Sequence, residues 1–338
     1  MPKTSAAGSD NVVVIVSIDT EEDNWGRNGG CVATRNIAQL PRLADFLAAF
    51  GARPTYFTAY QVAAQERAAA TMLEVCDGGR GEIGGHLHPW NTPPHAESKV
   101  PRNSMLKNLP AELQFEKLRH LTMALEAAFG AAPRAFRAGR FGLGSETIPA
   151  LIRCGYGIDS SVAPFQNLER DGGPSFVGAP MEAYHLAPGA DVCEPAPPGQ
   201  LLEIPLSCGF SRGPFSFWDP TRRLLEAPPF RWLRLTGIAH RTGIVERIML
   251  SPEIATADEM LLLSRRLLEH GVRHLQLFFH SPSLTPGLSP FVGTPQELES
   301  FYATIGSFLE GLDAIAPITF ATMSEAAELL APEALVPV

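Results

Sequence analysis

Val12-Val13-Val14-Ile15-Val16-Ser17-Ile18 constrains the fold of this chain more than any other stretch. A half-exposed strand alternates apolar and polar residues, and this run does not alternate. It therefore predicts a strand covered on both faces, as in parallel sheets and barrels. The run ends in Asp19-Thr20-Glu21-Glu22-Asp23-Asn24-Trp25, with four carboxylates within five positions. A solvated acidic loop is the ordinary reading of such a cluster. Asp19 lies too close to the apolar run to be fully solvated, so the functional reading is preferred.

The next segments repeat a strand and helix rhythm. Ile37, Leu40, Leu43, Phe46, Leu47 and Phe50 recur at helical spacing, and Gly51 supplies the stop. Residues 54–60 read as a strand, 65–77 as a helix and 82–88 as a third strand, the right-handed unit of a parallel sheet. Residues 91–110 form a proline-bearing loop suited to wall or cover a pocket. A helix over 112–129, a strand and turn over 134–142, a helix over 145–154 and a short strand and turn over 155–161 follow. The Pro- and Gly-rich residues 164–200 predict a long excursion with short hairpins, and 201–205 another strand. Residues 208–255 read as irregular, with Phe210, Phe215, Phe217, Trp218, Phe230 and Trp232 either lining a sugar-binding groove or forming a local core. A helix over 257–270, a strand over 273–280, a helix over 295–313, a strand over 318–320 and a helix from Ser324 complete the pattern. No linker separates two cores, so the expectation is one domain over 1–338, its core about 12–325, with insertions at about 164–200 and 208–255.

Composition narrows the partners. The 338 residues are 45% hydrophobic and 19% charged, enough for one large α/β core. The net charge is −9 and no Lys/Arg run exceeds two residues, which argues against nucleic acid and anionic lipid and favours a neutral or cationic substrate. Residues 1–10 lack the apolar segment of a secretion signal, and no apolar run reaches the roughly 18 to 20 residues of a membrane span. The expectation is a soluble, cytoplasmic protein. Five widely spaced cysteines, without a Cys-x-x-Cys pair, read as small buried hydrophobes in a reducing compartment.

Gly84-Gly85-His86-Leu87-His88-Pro89-Trp90 is the stretch built most like a metal site. In an extended segment, residues two apart share a face, so both imidazoles can converge on one cation. Two histidines do not close a site, and the ion still needs a carboxylate and water. Two solvated rings in a loop are the ordinary alternative. In a parallel barrel the active groups stand at the C-terminal ends of the strands, and Asp19 and Glu21, His86 and His88, Arg137 and His280 all obey that rule. His95, His120, His240, His270 and His274 are expected in surface or packing roles, and His185 at the edge of the pocket. Asp159 either bonds Arg137 or shapes a turn. Ser281-Pro282-Ser283-Leu284-Thr285-Pro286-Gly287 reads as a shaped loop whose serines have no nucleophile context.

Ser17-Ile18-Asp19-Thr20-Glu21-Glu22, Glu82 to His88, Phe136-Arg137-Ala138-Gly139-Arg140-Phe141-Gly142, Gly155-Tyr156-Gly157-Ile158-Asp159-Ser160-Ser161, Leu202-Glu203-Ile204-Pro205 and Leu277-Phe278-Phe279-His280-Ser281 fall in a telling order. In that order the chain resembles the polysaccharide deacetylases, the NodB-homology carbohydrate esterases of family 4, over roughly residues 12–325. The resemblance implies a distorted (β/α)7 barrel with long loop insertions, and metal-dependent removal of N- or O-acetyl groups from sugars. It makes Asp19 the general base, Arg137 the group that orients it and His280 the general acid. The family usually follows its first aspartate with a metal-binding aspartate, where this chain has Thr20; Glu21 is the best substitute, with Glu22 and Asp23 open. The family's second motif spaces its histidines four apart, whereas position 90 is Trp90, so His88 takes the place of the missing ligand. The implied enzyme is a cytoplasmic carbohydrate N-deacetylase with a divalent metal, zinc foremost, in cell-wall or exopolysaccharide assembly. Two rivals stand beside it: a metal-independent hydrolase of a small or cyclic amide on the same fold, and a silent barrel that binds glycan or a partner protein.

Overall fold

The computed structural model of the chain describes residues 11–23, 32–226 and 246–330. The apolar run becomes β1 (Val12–Thr20), buried at every position. Its alternate residues serve two different cores, which is why the run tolerates no polar alternation. Val12, Val14, Val16 and Ile18 join the apolar layer beneath the outer helices, while Val13 and Ile15 join Phe57, Ile158, Leu202 and Ile204 in a second cluster. Ser17 and Asp19 continue that second face, so the strand carries a polar tip above an apolar base.

Around β1 lie β2 (Thr55–Ala59), β3 (Glu82–Leu87), β4 (Ala135–Ala138), β5 (Ile158–Asp159), β7 (Leu201–Glu203) and β10 (His274–His280). They form a curled parallel sheet in the order β10-β1-β2-β3-β4-β5-β7. β6 (Tyr184–Leu186) adds antiparallel to β7, and β11 (Ile318–Phe320) pairs with the first residues of β1. Seven parallel strands side by side, with β11 a short eighth paired parallel to the start of β1, make the distorted barrel that the family resemblance implies. Among the described residues β7 and β10 share no ladder, and a seam of single bonds joins the two ends. Gln276 N–H donates to Ser207 Oγ (2.9 Å), and Phe278 N–H donates to the Leu250 carbonyl (2.9 Å).

The helices differ from the sequence reading mainly at their ends. The helix expected over 37–50 is a 3-10 turn at Arg35–Gln39 followed by α1 (Leu40–Ala48), with Pro41 in its first turn. The one expected over 65–77 is α3 (Glu66–Cys76), preceded by a short helix that was not expected, α2 (Tyr60–Ala63). α4 (Ala111–Phe129) ends as expected at Gly130, whose φ of 81° is a left-handed stop. α5 (Thr147–Arg153) follows β4. The stretch 208–255 is more regular than expected. It holds a ribbon of β8 (Cys208–Phe210) and β9 (Arg247–Met249) and the helix α6 (Phe215–Glu226), whose pattern the interior Pro220 conceals. Phe210 and Phe215 pack with Phe165 as local core; Phe230, Trp232 and His240 lie outside the described residues. α7 (Ala257–Glu269) and α8 (Pro295–Leu312) each open on a Thr/Glu capping box, and α9 (Met323–Leu330) closes the described chain. No described helix is long and apolar enough to cross a membrane.

Candidate active site

Every residue singled out for the site sits at the C-terminal end of a parallel strand. Asp19 ends the inward face of β1, and its register partner across the ladder is His280, the last residue of β10. Arg137, fully buried in β4, reaches Asp19. Its Nη1 donates to Asp19 Oδ1 (2.7 Å), its Nη2 to Ser17 Oγ (3.0 Å) and its Nε to the Ser160 carbonyl (2.9 Å). Phe57 covers the guanidinium face at 4.2 Å. The guanidinium is therefore held in one orientation. Burial pushes the Asp19 carboxyl up, but Arg137 overrides it, with His86 and His280 assisting, and holds the group at about 2. Asp159, in contrast, makes no hydrogen bond to Arg137: it accepts from the Ser161 N–H and hydroxyl. Both of these bonds run to Ser161, two residues on, which is the turn reading of Asp159.

The second group is Glu21, His86 and His88, all buried, with one ligand atom from each within 4.8 Å of the other two. His86 Nε2 and His88 Nε2 are 3.0 Å apart, and Glu21 Oε2 lies 2.9 Å from the second. Glu22 and Asp23 turn elsewhere. Asn91 donates to both oxygens of Glu22, and Arg35 and Asn36 donate to Asp23. Of the three open candidates, Glu21 is the carboxylate beside the histidines. Thr20 donates to the Ile18 carbonyl, and Trp90 lies against the His88 ring, centroids 4.1 Å apart, as a wall.

The donor set suits a cation. His86 Nδ1 lies 3.0 Å from the Arg137 carbonyl, an acceptor, which fixes its proton there and leaves the Nε2 lone pair facing inward. His88 Nδ1 is buried without a hydrogen-bond partner, against Gly139, where an added Cβ would run into the ring. Its proton then belongs on Nε2, pointed at Glu21, in the place a cation would take. Burial is the main reason that both rings are pushed down to about 4, so both are neutral at pH 7. Two neutral imidazoles and one carboxylate leave coordination positions for water and substrate, as catalytic zinc sites do.

The residue that sequence reasoning missed is Glu253. Its carboxylate accepts the backbone N–H of His280 (3.1 Å) and the ring Nδ1–H (2.8 Å), and also the Ser283 hydroxyl. Burial alone would lower His280; Glu253 outweighs it and raises the ring to about 10. His280 Nε2 stands 3.8 Å from Asp19 Oδ2, and His86 Nε2 stands 3.9 Å from the same oxygen. Glu253 sits in an aperiodic stretch, 27 residues ahead of its partner, and carries no local signal. Lys117 likewise gives no sign of its role in the sequence: fully buried in α4, it donates to the carbonyls of Pro89, Thr92 and Pro94 and pairs with Glu97 (3.0 Å), pinning the loop that follows His88. His185 lies half-buried in β6, the last strand at the β7 side of the sheet. His274 is buried against the Pro205 carbonyl, and His270 stacks on Phe215.

No protein-family model matches the sequence, and no curated protein matches it either. Solved structures do. A protein assigned to the polysaccharide deacetylases, from Mycobacterium smegmatis, superposes with a TM-score of 0.54 over 99% of this chain and 95% of that one, at 17% identity. The chain has the polysaccharide deacetylase fold. PuuE allantoinase superposes with the same TM-score of 0.54, over 97% of this chain and 92% of its own, at 13% identity. In this fold the six predicted residues lie at or just beyond the C-terminal ends of β1, β3, β4 and β10.

Proposed function

We propose that the chain is a hydrolase that removes acetyl groups, N-acetyl foremost, from a carbohydrate with the help of one zinc ion. The observation that carries this reading is the position of Asp19 Oδ2, 3.9 Å from His86 Nε2 on the side of the donor set and 3.8 Å from His280 Nε2 on the other. Glu21, His86 and His88 would hold the ion. Bound there, zinc would supply Lewis acidity, polarising the acyl carbonyl and acidifying water.

The protein groups divide the proton work. Asp19 has one oxygen fixed by Arg137 and the other free, and at about 2 it stays ionised to take the proton of the attacking water. His280 at about 10 keeps its proton at neutral pH and gives it to the departing nitrogen, with Glu253 holding the ring. Base and acid thus keep opposite protonation states side by side.

A second reading is supported by the hydrogen bond between His88 Nε2 and Glu21 Oε2, which pairs these two atoms without a cation. On that reading the chain hydrolyses a small or cyclic amide without metal, in keeping with its likeness to an allantoinase. Metal analysis of the purified protein, with acetate release from acetylated chito-oligosaccharides, separates the two. Wild-type activity lost in both Asp19→Asn and His86→Ala, with bound zinc lost in the latter, is the expected result. Activity unchanged in both variants removes the mechanism.

A further inference from the structure

Strand β10 carries an amide that the hydrolytic scheme does not use. Leu275, Leu277 and Phe279 join the apolar layer beneath the outer helices, so the alternate residues His274, Gln276, Phe278 and His280 form the inner row of the strand. His280 tops that row, and Gln276 lies below it, fully buried. A buried amide is costly unless its oxygen and its nitrogen are both bonded, since each has given up water. A leucine would fill the space without that requirement. Gln276 must therefore have partners of its own.

Only one orientation of the amide supplies them. With its oxygen toward β4, Gln276 Oε1 accepts from Arg137 Nη2 and from the Ser17 hydroxyl (3.0 Å), while Nε2 donates across the seam to the Pro205 carbonyl (3.2 Å). The reverse orientation would set an NH2 against the guanidinium and an oxygen against the carbonyl. The guanidinium thus has two occupied ends. Nη1 donates to Asp19 Oδ1 (2.7 Å), and Nη2 ends among Gln276 Oε1, Ser17 Oγ (3.0 Å) and Ser160 Oγ (3.1 Å). The two hydroxyls are adaptable partners, because a hydroxyl rotates to suit its neighbours, and that of Ser160 also donates to the Ile204 carbonyl (2.9 Å). The amide is not free in this way. Pro205 holds its nitrogen, so its oxygen is an acceptor of fixed direction. Phe57 and Phe278 stand 4.2 and 5.8 Å from the guanidinium and cover it without choosing where its N–H groups point.

We infer that Gln276 is a positioning residue for the base. It holds the Nη2 end of Arg137, so that Nη1 keeps one oxygen of Asp19 and leaves the other free for the attacking water. Gln276 and His280 share one strand, so the strand that brings the acid also aims the base. The residue type fits the task. Glutamate has no donor for Pro205, asparagine is one methylene too short to reach both partners, and methionine has neither group. For its effect on rate this inference rests on the hydrolase reading.

The test compares Gln276→Met, which keeps the bulk and removes the amide, with Ser207→Ala. The latter removes the acceptor of the Gln276 backbone N–H (2.9 Å) and loosens the same part of β10 without touching Arg137. With acetylated chito-oligosaccharides and the zinc-loaded protein, Gln276→Met is expected to lower kcat by about 10- to 100-fold with KM little changed, the scale of a misaimed reacting group. Ser207→Ala keeps kcat near wild type. NMR of isotopically labelled arginine in the metal-free protein is read in parallel. A guanidinium held at both ends rotates slowly and gives separate Nη–H signals. Those of Arg137 stay separate in wild type and Ser207→Ala, and the Nη2 signals merge in Gln276→Met. Wild-type kcat in Gln276→Met, or an equal loss of kcat in Ser207→Ala, overturns the inference, as do Nη2 signals that stay separate in Gln276→Met. Merged signals beside a wild type that releases acetate from no sugar keep Gln276 as the group that aims Arg137 and sink the hydrolase reading. Gln276→Asn, which keeps the amide and draws it back by one methylene, is read in the same way if Gln276→Met does not fold.

Discussion

Glu253 holds His280 at two points, one oxygen on the backbone N–H at 3.1 Å and the other on the ring Nδ1–H at 2.8 Å. The first bond fixes where the strand ends, and the second fixes which way the ring faces and whether it is charged. Glu253 does not face the reacting atoms itself and is a positioning residue. Glu253→Gln keeps the shape but removes the charge. The expected result is a kcat lower by about 10- to 100-fold with KM little changed, and an alkaline limb of the kcat profile moved to lower pH. NMR titration of the His280 ring in the metal-free protein should show the same fall from about 10. A variant that loses stability but keeps the wild-type alkaline limb would mean that Glu253 serves only the fold.

The pH dependence of folding follows from the same groups. In the metal-free protein His86 and His88 are pushed down to about 4, so between pH 4 and 6.5 the unfolded chain binds protons that the folded chain refuses. Stability therefore falls on acidification through that window. His280 is raised to about 10, so between pH 6.5 and 10 the folded chain keeps a proton that the unfolded chain has released, and stability falls as pH rises. For each ring, every pH unit that separates folded from unfolded titration is worth about 1.4 kcal/mol. Chemical denaturation in a chelator should show the acid fall reduced in His86→Gln and the alkaline fall reduced in His280→Gln. An acid limb unchanged in His86→Gln would contradict the buried, neutral state of that ring.

Gly139 touches no reacting group, yet a Cβ there would collide with Nδ1 and Cε1 of His88. No rotation of a methyl group relieves such a contact, so the imidazole must tilt away from His86 and Glu21. Gly139→Ala is expected to fold and to lower zinc affinity by about 10-fold or more, the scale of disturbing a group that seats a ligand. Equilibrium dialysis against a zinc buffer measures it. Affinity equal to wild type would show that His88 is not a ligand, or that its seat is soft.

The parts of this arrangement that the sequence reveals share one property: each is a polar residue where an apolar strand ends. Asp19, His86, Arg137 and His280 are visible for that reason, and the strands that carry them are visible because burial on both faces leaves no alternation. Glu21 can be named as a candidate from the sequence but not separated from Glu22 and Asp23, since the choice depends on Asn91, Arg35 and Asn36 reaching in from other segments. Glu253 and Lys117 are hidden because their partners are 27 and 20 or more residues away and no periodicity links them. The helix α6 is hidden by its own proline. For Asp159 the sequence leaves a bond to Arg137 open, and only the structure shows that its carboxylate turns to Ser161 instead.

The barrel's weakest joint and its strongest lie at different distances from the chemistry. Strands β1 and β10 share seven registered partners, from Val13 with His274 to Asp19 with His280, whereas among the described residues β10 and β7 share no ladder, and β10 is bonded on that side to Ser207, beyond β7, and to Leu250, beyond β9. Breathing of the molecule is thus expected to open along the seam, at the rear of β10, while the proton donor and acceptor ride together on one stiff two-strand plank. A substrate could spread the mouth there and still find both groups at an unchanged spacing.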